Sequence, residues 1–428
     1  MKGAGVGVTL GRTRRRFTSH QQLGITAFLN IPTALTRALR IYDHQGDDFM
    51  KRFLLSTALL AAAVTVNQAA SADDWDARFH DNDKVTIAVF GDWPYGQILF
   101  DSASLLVNSI NADRDVSLVI HVGDIHSGSQ PCTSAGINNY SPPTPATTPP
   151  IATSYPDYNQ KIFFQFQQIK PPVVYTPGDN EWTDCHKTKE FKSGNPLNEL
   201  TAVRTVFFAQ PGRTLGVHSR EVWSQAVFFD PAHPEDKQYV ENMMWMDADT
   251  VFVTLNVPGS NNDTLPWTNG FEQQPAHDNE VAARNAANSR WLAAAFKQAQ
   301  WLRAKAVVIA LQADMWDLTA LAPGGDGLSA YTPFVQQIAN LTTNFGKPVL
   351  LLNGDSHLFG QDHPLADPSS PTGLVHHTQS VPNLTRITVQ GSTNAPAEWL
   401  KLTINTRRPG VFSWVNVPYC TNPAVSCP

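Results

Sequence analysis

The sequence predicts an α/β fold, and three observations carry that prediction. Short apolar runs rich in Val, Ile and Leu alternate with helical patterns, the order expected of a mostly buried sheet covered by helices. Most of these runs end in Gly-Asp or a close variant of it. The composition, 42% hydrophobic and 16% charged over 428 residues, is that of a globular protein with enough apolar material for a sizeable core.

The N-terminus reads as a leader. Residues 50–72 are MKRFLLSTALLAAAVTVNQAASA, with Lys51 and Arg52 after Met50, an apolar run, then Ala70-Ser71-Ala72. This is a complete secretory signal, too short and wrongly flanked for a membrane span, with cleavage expected after Ala72. Residues 1–49 then read as a disordered upstream extension from a misplaced start codon. A twin-arginine reading of Thr13-Arg14-Arg15-Arg16-Phe17 is the alternative, but Gln21, Gln22, Asn30 and Pro32 interrupt the apolar stretch it needs.

Beyond the leader, the apolar runs are 85–90, 116–122, 172–175, 251–257, 306–311, 349–352 and 385–389. Helical patterns fall at about 97–111, 158–168, 284–305 and 331–345. The clearest has Trp291, Leu292, Ala295, Phe296, Ala299 and Leu302 at three- and four-residue spacing, which makes one apolar face. Trp291 and Phe296 are read as core. A Pro/Thr-rich insertion, 127–157 with its core at SPPTPATTPPIATSYP, cannot form helix or central strand. The expectation is a single domain over 73–428.

Residues 1–72 hold 9 of the 31 Lys/Arg and 3 of the 37 Asp/Glu, leaving 22 basic and 34 acidic residues, a net of −12. That argues against nucleic-acid binding through a basic patch. It also leaves carboxylates for bound cations. Cys132, Cys185, Cys420 and Cys427 all lie beyond the leader. An even count in an exported chain suggests disulfides, and the spacing suggests Cys420–Cys427 and Cys132–Cys185 among three possible pairings.

The chemistry gathers at strand ends. The successive runs lead into Gly91-Asp92, Gly123-Asp124, Gly178-Asp179-Asn180-Glu181, Gln312-Ala313-Asp314 and Gly354-Asp355-Ser356-His357. Ligands of open α/β sheets bind beyond the carboxyl ends of the strands. A carboxylate after a buried run is costly unless solvated or coordinated, and hard divalent ions prefer such oxygen ligands.

In order and context these segments resemble the five blocks of the calcineurin-like metallophosphoesterases, and Gly91-Asp92-Trp93 is similar to the first block of purple acid phosphatases. The resemblance covers most of 84–360. It implies a four-layer αββα sandwich of two mixed sheets and a metal-borne hydroxide that attacks phosphorus in line. Carried over, Asp92 and His357 would bind a first metal and Asp124 would bridge two. Asp179, or Asn180 in the alternative register, would be the amide-position ligand, with Gln312 and Asp355 in place of two histidines of the second metal. Pro94 stands where the family has a ligand histidine, and His126 is a candidate replacement. Asn180 stands where the family has its acid histidine, and His186 is a candidate substitute. The oxygen-only second site favours Mn, Mg or Ca over Zn or Fe.

Other residues are read plainly. Trp93 is either pocket wall or packing. Tyr95 is discounted, because the family tyrosine follows the second block, where this chain has Ser127. His218, His233, His277, His376 and His377 fit no ligand spacing and are read as surface or rim. Gly324-Gly325-Asp326-Gly327 is read as a plain loop. The functional expectation is an exported, periplasmic or extracellular, metal-dependent hydrolase of a small phosphomonoester or phosphodiester. The alternative is a catalytically degenerate relative that binds metal or a ligand without turnover. A carboxylate-pair glycosidase would not explain the order in which Gln312 and His357 occur.

Overall fold

A computed structural model of the chain describes residues 83–132 and 158–427. The leader and most of the Pro/Thr-rich insertion lie outside the described residues. Twelve strands in the described part form two mixed sheets, so the α/β class is as read. The first sheet has the order β12-β11-β1-β2-β3. Here β1 is Lys84–Phe90, β2 Val116–His121, β3 Val173–Tyr175, β11 Ala397–Asn405 and β12 Phe412–Cys420. The second has the order β4-β5-β6-β7-β8-β10-β9. Its strands are β4 Trp223–Ser224, β5 Met243–Asp247, β6 Thr250–Thr254, β7 Ala306–Ala310, β8 Val349–Asn353, β9 Gly360–Asp362 and β10 Leu384–Thr388.

The middle of each sheet is parallel. β1, β2 and β3 run together in one, and β6, β7, β8 and β10 in the other. Alternate residues of the second sheet enter different cores. Phe252, Val308, Leu350, Leu352 and Ile387 join a core that also contains Ile87, Val89, Leu118 and Ile120 of the first sheet. Val251, Val253, Val307, Ile309, Val349 and Leu351 join a second core with Trp291, Phe296, Val335 and Ile338. The second sheet is therefore buried on both faces, against the first sheet and against helices, as its unbroken Val/Ile/Leu runs require.

The helices of six or more residues among the described residues are α1 Gly96–Asp101, α2 Ala103–Ala112, α3 Tyr158–Phe166, α4 Pro196–Phe207, α5 Ala276–Trp301, α6 Thr332–Phe345 and α7 Pro371–His376. The expected helix near 97–111 is two helices, α1 and α2, which meet at Ser102. α4 has its start signals in place, Asn195 accepting hydrogen bonds from the Leu197 and Asn198 N–H groups and Pro196 in the first turn. α5 begins eight residues before the expected 284. Its first turns are polar and pack on other polar groups: Arg284 is fully buried and bonds to Glu280 and Asn262. An apolar period could not reveal that start.

Cys132–Cys185 and Cys420–Cys427 are disulfides, as the spacing suggested. Among the described residues no helix is long and apolar enough to cross a membrane. His277 and His376 are not surface residues. His277 stacks on Trp267 at 4.2 Å, and His376 bonds to the Met315 carbonyl at 2.7 Å. Both are interior hydrogen-bonding residues.

Candidate metal centre

The carboxyl ends of the parallel strands of both sheets meet at one place. β1 leads to Asp92, β2 to Asp124, β3 to Asp179, β7 to Gln312 and β8 to Asp355 and His357. Glycines allow the approach. A Cβ on Gly123 would lie 2.6 Å from the Gln312 side chain, and one on Gly178 would lie 1.9 Å from Asp124 Oδ1. Asp92, Asp124, Asp355 and His357 all have left-handed backbones, with φ of 49°, 61°, 73° and 65°. Such conformations cost non-glycine residues about 1–2 kcal/mol each and persist where surrounding contacts enforce them.

Donor atoms of Asp92, Asp124 and His357 lie within 4.8 Å of one another. His357 Nε2 is 3.5 Å from Asp92 Oδ1, which also accepts the Asp355 N–H at 3.1 Å. Asp92 is fully buried, and its Oδ2 has no hydrogen-bond partner. Asp124 Oδ2 accepts from Tyr95 Oη and from Asn180 Nδ2, both at 2.8 Å, and Asn180 Nδ2 also reaches Tyr95 Oη at 2.7 Å. The Tyr95 ring meets that of His357 edge-on at 5.3 Å. Glu181 Oε1 holds the loops below by accepting from Tyr175 Oη and from the N–H groups of Gly178 and Asp124.

Burial raises the carboxyls of Asp92, Asp124 and Asp355 well above the usual range, and Asp179 adds repulsion to each. Asp179 is itself raised by burial and by Asp184, and is relieved in part by Lys189 and Lys187. A divalent cation among these groups would offset the repulsion. The residues therefore fit an ion at Asp92, Asp124 and His357.

The remaining expected ligands are arranged otherwise. Gln312 donates to Asp179 Oδ1 at 3.0 Å and accepts the Gly259 N–H at 2.5 Å. Asp179 Oδ2 accepts from Ser260 Oγ at 2.9 Å, and Asp355 Oδ2 from the Asp314 N–H at 2.9 Å. The proposed second-site set is thus tied by its own hydrogen bonds. His126 is not part of the converging group: its Nδ1 meets the Ser127 carbonyl and its ring packs edge-on against Tyr158. His186 does not line the cleft, and its Nδ1 accepts the Thr268 N–H at 2.9 Å. Burial lowers it to about 4, so it is neutral. The discounted Tyr95 sits at the centre. Its signal was only its place three residues after Asp92, and no rule of spacing ranks a tyrosine there. Trp93 is packing, edge-on to Phe90 in the shared core.

Cys132, Cys185 and Glu190 also cluster, but the cysteines are joined and offer no thiolate. The disulfide instead fastens one wall of the cleft, Ser127 to Ser129, to the loop that carries Asn180. The cleft has a volume of about 580 Å³. Tyr95, Asp124, Asp179, Asn180, Asp355 and His357 line it, as do Asn261, Asp317 and Asp326. The loop at 324–327 is therefore a cleft wall, through Gly325, Asp326 and Gly327, and not a plain connection.

No family model matches the chain, and no curated protein does. Among solved structures, one described as "GAP50 the anchor in the inner membrane complex of Plasmodium" is similar at 10% identity, covering 78% of this chain and 89% of that one. The TM-score is 0.35, too low for the likeness to support a statement about fold or role.

Proposed function

We propose that the chain is an exported metal-dependent phosphoesterase with the four-layer αββα plan of the calcineurin-like metallophosphoesterases, holding a single divalent cation at Asp92, Asp124 and His357. The observation that carries this reading is the convergence of Asp124 and His357 on the fully buried Asp92 carboxylate, one oxygen of which has no hydrogen-bond partner. An unsatisfied buried carboxylate oxygen is costly, and a cation is the partner that three convergent ligands suit. Two carboxylates and an imidazole suit Mn, with Zn or Fe as rivals. Gln312 and Asp179, two of the groups a second ion would need, are hydrogen-bonded to each other, and Gln312 also accepts the Gly259 N–H.

When bound, the ion would polarise a phosphoryl oxygen and acidify water. The chain's own residues would fix the geometry. Tyr95 and Asn180 hold Asp124 Oδ2, and Glu181 holds the backbone of Asp124. Asp317 and Asp326 on the cleft walls, with Lys189 the sole Lys or Arg among its lining residues, disfavour nucleotides and polyphosphates. A small ester of a neutral or cationic alcohol fits better. The disulfides accord with an exported protein in an oxidising compartment, the periplasm or outside the cell.

A second reading, a binder without turnover, is favoured by His186. It is engaged with Thr268 away from the cleft, and Asn180 in the acid position cannot give up a proton near neutral pH. Elemental analysis of protein incubated with Mn and Mg, with a screen of activated mono- and diesters, separates the readings. The expected result is one ion per chain and hydrolysis that Asp124→Asn abolishes. No bound ion would sink the phosphoesterase reading and the metal-binding form of the alternative, whereas an ion without hydrolysis would leave the binder.

A further inference from the structure

The segment Gly259–Asp263, between β6 and α5, closes the cleft in an unusual way. Ser260, Asn261, Asn262 and Asp263 are consecutive and all left-handed, with φ from 51° to 59°. L-residues rarely adopt this conformation in series. It is enforced from outside. Asn262 N–H bonds to Tyr331 Oη at 2.9 Å, Asn262 Nδ2 to Asn285 Oδ1 at 2.7 Å, and buried Arg284 to the Asn262 carbonyl at 3.1 Å. Ser260 Oγ reaches both Asp179 and Asp184. A Cβ on Gly259 would stand 2.6 Å from Asp179 Oδ2 and 2.9 Å from Asp355 Oδ1, so the turn abuts the carboxylate cluster.

Ser260 and Asn261 are the members of this turn that line the cleft, and Asn261 is 8% exposed. The Asn261 Oδ1 accepts the Ala330 N–H at 3.0 Å, which fixes the amide orientation. Its Nδ2 has no hydrogen-bond acceptor among the described residues and faces the cleft wall at Gly327. Several carboxylates line the same cleft. A ligand cation would find partners there, but an anionic oxygen would find few donors. An oriented amide N–H that has no acceptor among the described residues and opens on the cleft is matched by a negatively charged ligand oxygen.

We propose that Asn261 is a substrate-binding residue whose side-chain amide donates to a phosphoryl oxygen of the ligand, the enforced left-handed turn serving to aim it. This rests on the phosphoesterase reading. The donor belongs to the phosphoryl group, and the cleft carboxylates to the alcohol portion.

Inorganic phosphate is the probe, titrated calorimetrically into the full chain loaded with Mn. Asn261→Gly keeps the left-handed backbone and deletes the amide. Asn261→Asp keeps the acceptor for Ala330 and replaces the donor by a charge. With the ion content of each variant unchanged, both should weaken phosphate binding tenfold or more, about 1.4 kcal/mol at the tenfold limit, and Asn261→Asp should be the weaker. Variants that load Mn and bind phosphate as the parent does would overturn the role of Asn261 while leaving the metal reading intact. A parent that loads Mn but binds no phosphate would instead remove the phosphoesterase reading, and this inference with it.

Discussion

Replacing Asp92 by Asn should move stability in opposite directions with and without a cation. The carboxylate is fully buried, accepts one N–H, from Asp355, and leaves Oδ2 without a donor. Asn keeps the accepting oxygen and the shape, and puts an NH₂ group among carboxylates. An unsatisfied buried polar atom costs about 1–3 kcal/mol, so the metal-free variant should gain about that much over the metal-free parent. At about 2 °C per kcal/mol for a chain of this size, that is about 2–6 °C in Tm.

The gain should depend on pH. Burial raises the Asp92 carboxyl above its unfolded value. Its favourable contribution is therefore complete below the ordinary carboxylate range and is lost as pH rises through the folded value. The variant's advantage should be small near pH 4 and widen toward neutrality. With Mn at a hundredfold over its dissociation constant, the parent gains about 2.7 kcal/mol, which the variant forfeits. Thermal unfolding in chelator and in Mn, at several pH values, reads all of this. A variant less stable than its parent in chelator at neutral pH would refute the argument, because Asp92 would then be a structural hydrogen-bonding group.

Two further substitutions test the surroundings. Tyr95→Phe removes the hydroxyl on Asp124 Oδ2 and leaves Asn180 Nδ2 with one acceptor fewer; Mn affinity should fall about threefold to tenfold, about 1 kcal/mol, and an unchanged affinity by calorimetry would show that the phenol does not position Asp124. Gly259→Ala places a methyl against the Asp179 and Asp355 carboxylates, each already held by hydrogen bonds; the cost should be about 1–3 kcal/mol in chemical denaturation, and a parent-like midpoint would mean that the turn yields easily.

The parallel strands were legible because both of their faces are buried. The run at 306–311, for example, is apolar throughout, and Ala306–Ala310 is entirely interior. Strands β11 and β12 escaped because they alternate. In Ala397–Asn405, Leu400 and Leu402 face inward while Lys401 and Thr403 are partly exposed, so no continuous run forms. The site divides similarly. Asp92, Asp124 and His357 follow glycine-bearing strand ends and were visible as a series. Tyr95 and Asn261 were not, since tertiary contacts and, for Asn261, an enforced left-handed turn bring them to the cleft, and residue type announces neither. His126 and His186 were named for nearness in sequence to the expected blocks. Tertiary contacts with Tyr158 and Thr268 determine where their rings lie.

The cleft is built from the ends of two sheets, and the Asp355 amide meets the Asp92 carboxylate across 263 residues of chain. Neither sheet alone possesses the pocket. During synthesis the N-terminal half emerges with its aspartates but without β7 and β8, so it has no place to retain a ligand. A cation bound there would consequently arrive late in the life of the molecule, after assembly, and would report that assembly is complete without templating it.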